Sequence, residues 1–170
     1  MGSGIAYTLA SKGVRVQLAD STPDLVTAGL RRIESLLADG VNRRALTRRE
    51  ARDTRDRISP THERTPLHRM DLVIEAVIEE MGTKKRVLAD LASRADSRTL
   101  LATNTSALSI TELAAEIPHP ERVLGLHFFN PAHLMPLVEV VTHGRTSPEF
   151  GATAVRFAQS IGKTPVLVRD

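Results

Sequence analysis

Short apolar runs alternate with stretches of helical periodicity along almost the whole chain, and this restricts the fold more than any other feature. The runs cover residues 14–20, 71–76, 99–102, 122–126, 137–141 and 164–168. Helical patterns fill residues 2–12, 24–37, 46–57, 83–94, 109–117 and 147–161. Gly13 and Gly162 stand where helix C-caps are expected. Thr47 and Glu50 have the spacing of a capping box. Residues 58–68 contain Pro60, Pro66 and two histidines with little apolar content, so they read as loop with room for a short strand at Ile58. Strands separated by helices call for a mostly parallel sheet with helices on both faces, a doubly wound α/β domain over residues 1–170. No repeat or linker interrupts it.

Composition narrows the chemistry. The chain of 170 residues has 41% hydrophobic and only 3% aromatic residues, with no Trp, so its core is aliphatic. With no Cys, disulfides, thiol nucleophiles and cysteine-ligated metals are excluded. Six histidines (His62, His68, His119, His127, His133 and His143) show no metal-ligand spacing, and no metal is expected. No apolar run approaches the ~20 residues of a membrane span, and the N-terminus lacks the layout of a signal peptide. The expected setting is cytoplasmic, away from membranes. The net charge of +3 is carried largely by Arg43, Arg44, Arg48, Arg49, Arg52, Arg55 and Arg57, interrupted by Glu50, Asp53 and Asp56. Acids three or four residues from arginines mark a solvated, ion-paired helix. No aromatic side chains interleave to stack bases, so no nucleic-acid partner is expected. Contact with the phosphates of a bulky anionic substrate is the other use open to these arginines.

In sheets of this kind ligands bind beyond the carboxyl ends of the strands. Asp20, Glu75 to Glu79, Asn104 to Ser106 and His127 stand at those ends. His127 closes an apolar run against the Asn130-Pro131 turn, and Glu139 interrupts the next run, Leu137-Val138-Glu139-Val140-Val141. A carboxylate buried there without a partner costs several kcal/mol. His127 is the nearest candidate, and a Glu–His pair on neighbouring strands makes a general base. The alternative is a structural histidine and a Glu139 that faces solvent from an edge strand. Asp20 lies eighteen residues after Gly2, the spacing of the acid that binds an adenosine ribose in dinucleotide folds. An ordinary exposed acid at a strand end fits equally well. Gly2 and Gly4 open a helix, as close anion approach requires, but the strand and earlier glycines of G-x-G-x-x-G do not precede them.

Taken together, six stretches resemble the NAD-binding domain of the L-3-hydroxyacyl-CoA dehydrogenase family. They are Met1-Gly2-Ser3-Gly4-Ile5-Ala6, Asp71-Leu72-Val73-Ile74-Glu75-Ala76-Val77-Ile78-Glu79, Ala102-Thr103-Asn104-Thr105-Ser106-Ala107-Leu108-Ser109-Ile110, His127-Phe128-Phe129-Asn130-Pro131, Leu137-Val138-Glu139-Val140 and Gly162-Lys163-Thr164-Pro165-Val166. The resemblance implies a Rossmann-like fold and hydride transfer between NAD and C3 of a 3-hydroxyacyl-CoA, in fatty acid β-oxidation or 3-hydroxybutyryl-CoA metabolism. By the same resemblance His127 is the base, Glu139 orients its imidazole, and Ser106 and Asn130 complete the catalytic group. Gly2, Asp20, Glu79, Lys84, Asn104 and Ser106 are implied to contact NAD, and an acyl-CoA is the implied partner. The family's first strand lies before Met1, and an all-helical domain with the homodimer contacts follows where this chain ends at Asp170. The expectation is therefore a sheet lacking its first strand and a chain that is a fragment of a dehydrogenase. A non-catalytic remnant serving as an interaction module, or a related β-hydroxyacid dehydrogenase of different substrate, are the other readings.

Overall fold

The structure, a computed structural model, describes residues 1–170, which form two compact units. The first comprises Met1–Arg64 and Asn130–Met135. Its elements are helix α1 (Gly2–Ser11), strand β1 (Val16–Ala19), helices α2 (Pro23–Asn42) and α3 (Arg48–Asp56), and strand β2 (Ile58–Thr61). Thr22 caps α2 through its side chain, and Pro23 takes the first helical position, where a missing N–H costs nothing. Thr47 and Glu50 form the capping box of α3. Ala6, Ala10, Ile33, Leu37 and Ile58 close the core of this unit. β1 and β2 pair in parallel as a sheet of their own, with Leu18 opposite Pro60. The short strand for which this segment left room at Ile58 runs over four residues, and its proline is tolerated in a two-stranded sheet because both strands are edges.

The second unit comprises Thr65–Phe129 and Pro136–Asp170. Strands β3 (Leu72–Glu75), β4 (Leu100–Thr103), β5 (Val123–Phe128), β6 (Leu137–Thr142) and β7 (Thr164–Arg169) lie side by side in that order. Helices α4 (Met81–Arg94), α5 (Ile110–Ala114) and α6 (Pro148–Ser160) connect them. Three neighbouring pairs are parallel, and β5 with β6 is antiparallel. A parallel return needs a crossover of a dozen residues or more, and the link between β5 and β6 has no helix to supply it.

Helices cover both faces of this sheet. On one face Leu101 and Val123 join Leu88 and Ala92 of α4 and Ile110, Leu113 and Ala114 of α5 in a single cluster. A Cβ on Gly125 would fall 2.9 Å from Val141 Cβ and 3.1 Å from Ile110 Cδ1, so glycine lets α5 approach the sheet. On the other face Val138 and Val140 are buried, and Gly151 of α6 lies close to Thr142. Because side chains alternate along a strand, Glu75, Thr103, Gly125, His127 and Glu139 share the face on which α4 and α5 pack.

Arg122 is buried and donates to the carbonyls of Ala92, Asp96 and Thr99, closing the C-terminal end of α4. No helix is long and apolar enough to cross a membrane.

Candidate functional site

His127 stands opposite Glu139 in the antiparallel β5–β6 register. Directly opposed residues carry their side chains on one face within reach of each other, and here Nδ1 lies 2.8 Å from Glu139 Oε2. A carboxylate can only accept, so Nδ1 directs a proton toward it, and in the neutral ring Nε2 is then the nitrogen with the free lone pair. Phe129 lies against the ring, with centroids 4.7 Å apart. The imidazole is 16% exposed and the carboxylate 36%, so the pair is fixed by its neighbours yet reachable from solvent.

The loop after β4 supplies the next groups. Asn104 Oδ1 accepts from the backbone N–H of Phe128 at 2.8 Å, tying this loop to the residue after His127. Glu79 Oε1 accepts from Thr105 Oγ1 (2.5 Å), Ser106 N (2.8 Å) and Ser106 Oγ (3.1 Å). Partial burial pushes the Glu79 carboxyl upward, but these bonds and the Lys84 charge outweigh it and hold it below the ordinary carboxylate range.

Beneath this loop, Lys84 and Glu75 form an ion pair with no exposed side-chain surface. Lys84 Nζ lies 2.9 and 3.0 Å from the two Glu75 oxygens, 3.2 Å from the carbonyl of Asn104 and 3.7 Å from Glu79 Oε2. Glu75 also accepts from Thr103 Oγ1 and from the N–H of Val77, each at 2.6 Å. The expected contact of Lys84 with cofactor therefore meets an ammonium that faces inward. Glu75 and Thr105 were expected at the ligand-binding strand ends without a role of their own, and Thr103 was not expected there. The signal for Glu75 was an acid ending the apolar run Leu72-Val73-Ile74.

Gly2, Asp20 and Asn130 belong to the first unit. Gly2 opens α1, whose N-terminus has no side-chain cap. Asp20 follows β1 and is exposed, accepting only from Ser21 N (2.8 Å) and Ser21 Oγ (3.5 Å). Its remaining lone pairs are free to accept from hydroxyls. Asn130 precedes a cis Pro131 and borders a cavity of about 310 Å³ with Ser3, Gly4 and Arg32. An uncapped helix start and a free carboxylate at a strand end are donor and acceptor sets that suit the pyrophosphate and ribose of a dinucleotide.

The model of the 3-hydroxyacyl-CoA dehydrogenase NAD-binding domain matches residues 1–170. The chain belongs to that family. The fatty acid oxidation complex subunit alpha of Acinetobacter baylyi is 44% identical over the whole chain, which spans 24% of that protein's length. The crystal structure of 3-hydroxybutyryl-CoA dehydrogenase from Escherichia coli K12 is 43% identical with a TM-score of 0.96, over 99% of this chain and 36% of that one. The structure of M. tuberculosis FadB2 is 38% identical with a TM-score of 0.97, over all of this chain and 60% of that one. The fold of this NAD-binding domain is thus the Rossmann-like one, and its cofactor is NAD.

Proposed function

We propose that the protein acts in the oxidation of 3-hydroxyacyl-CoA to 3-oxoacyl-CoA, and in its reversal, with His127 as the general base. The observation that carries this reading is the 2.8 Å contact between His127 Nδ1 and Glu139, which in the neutral ring makes Nε2 the basic nitrogen. Oxidising an alcohol requires that its hydroxyl proton be removed as C3 gives up hydride, and a neutral imidazole at ambient pH is suited to take it. NAD, when bound, supplies the hydride acceptor. As Nε2 takes the proton the ring becomes an imidazolium, and the carboxylate of Glu139 stabilises that charge. In reduction of the ketone the same nitrogen returns the proton to the oxygen.

Ser106 directs its hydroxyl proton to Glu79, so its oxygen is left to accept from the substrate hydroxyl or a cofactor ribose hydroxyl. Asp20 would hold the adenosine ribose, Gly2 the pyrophosphate, and Glu79 and Asn104 the nicotinamide ribose side. An acid at Asp20 repels a 2′-phosphate, which accords with NAD. Asn130 borders substrate in this reading, and the acyl-CoA partner and pathway follow from the relatives' printed names.

The test is oxidation of NADH with acetoacetyl-CoA by the whole protein and by His127→Gln. Loss of a positioned general base lowers turnover by about 10²–10⁴-fold. Turnover in the variant equal to the parent would remove His127 from the chemistry.

A further inference from the structure

The Glu75–Lys84 pair has no role in proton or hydride transfer, yet it is the most buried charge pair in the second unit. Burying two charges is expensive, and apolar residues of similar volume are often neutral or better for stability. What apolar residues cannot do is meet the polar groups these two side chains meet.

The ammonium has three N–H donors. It reaches both oxygens of Glu75, the carbonyl of Asn104 and, at 3.5 Å, the carbonyl of Val77. It also stands 3.7 Å from Glu79 Oε2. Two connections leave this hub. Through Glu79 it touches the carboxylate that takes both the N–H and the hydroxyl proton of Ser106. Through Asn104 it touches the residue whose side chain holds the N–H of Phe128, next to His127. Glu75 anchors the hub from below, bonded to Thr103 on the neighbouring strand and to Val77 N. Glu75 is opposite Thr103, so the anchor joins the ends of β3 and β4, and Thr103 stands opposite Gly125 within β5.

We propose that the buried Glu75–Lys84 pair, fastened by Thr103, is a positioning device that sets the Ser106 hydroxyl and the end of the His127 strand for the reaction proposed above. It rests on that reading for its consequence in turnover, but its geometric claim stands apart from it. Glu75 and Thr103 are positioning residues, acting through Lys84 on Glu79 and Asn104.

The experiment compares Thr103→Val and the double variant Glu75→Leu/Lys84→Met with the parent protein. The first measurement is amide hydrogen exchange at Ser106 and Phe128, with Leu124 and Val140 as references in the same sheet. Both variants are expected to lose protection at Ser106 and Phe128 by about tenfold or more, with the references unchanged. The second measurement is steady-state turnover, where kcat is expected to fall by about ten- to a hundredfold. Uniform loss of protection across the sheet would mark the pair as part of the general core and overturn the proposal. Unchanged protection and kcat in the double variant would overturn it too. If the double variant does not fold, Thr103→Val decides by the same criteria. A parent protein without turnover would instead count against the dehydrogenase reading, and the exchange data would still judge the positioning claim.

Discussion

Asp170 accepts from Ser109 Oγ (2.9 Å), Ile110 N (3.0 Å) and Thr111 N (2.7 Å), so the last residue of the chain caps α5. Burial pushes its carboxyl upward, but the bonds from Thr111, Ile110 and Ser109 outweigh that and lower it from 3.8 to about 2. A depressed carboxyl contributes stability that is present above its ordinary value and lost as pH falls through the lowered one. The amide signals of Ile110 and Thr111 are therefore expected to titrate with a midpoint near 2, against 3.8 for an unbonded carboxyl. A midpoint at the ordinary value would contradict the cap. Glu79 has the same sign, and removing the acceptor of its three donors in Glu79→Leu is expected to move Ser106 and Thr105 signals together. Residue by residue, the sequence made Glu139 conspicuous because a charge among Leu137, Val138, Val140 and Val141 needs a partner. It left open whether that partner was His127 or water, since only the pairing register decides which side chains face each other.

That register depends on the elements around it. The Gly125 position admits no Cβ without displacing Val141, two residues from Glu139 on β6. Gly125→Ala is expected to cost about 1–3 kcal/mol through overpacking, measured by denaturant unfolding, and to lower turnover by moving Glu139. An unchanged midpoint would mean that β6 yields freely. The elements themselves were mostly legible, because amphipathic periodicity and cap residues are local signals: α3 with its Thr47 cap is an example. β2 was harder, since Pro60 argues against a strand unless it lies on an edge. The start of α4 was missed by two residues because its cap is Glu80, which accepts from Gly82 N and Thr83 N, where a shorter side chain is the usual choice. The antiparallel β5–β6 pair was legible in principle from the missing crossover between them.

Across the whole molecule, each unit closes its own aliphatic core, as an aromatic-poor composition requires. Ile33 is 1% exposed in the first of them. Ile33→Ala is expected to destabilise by about 2–5 kcal/mol, read as lost amide protection in β1 and β2. Sequence periodicity indicated a mostly parallel sheet with helices on both faces, and the second unit has it. That β1 and β2 form a sheet apart from the other five strands follows from long-range pairing, which local pattern does not encode. The catalytic account depends on one protonation state, that of His127 beside Glu139. Nitrogen NMR of the His127 ring in the protein at neutral pH tests it most directly. The expected result is that the neutral form of the ring carries its proton on Nδ1 with Nε2 bare, a preference lost in Glu139→Gln. A proton on Nε2 with Nδ1 bare would leave no base facing the substrate and contradict the account.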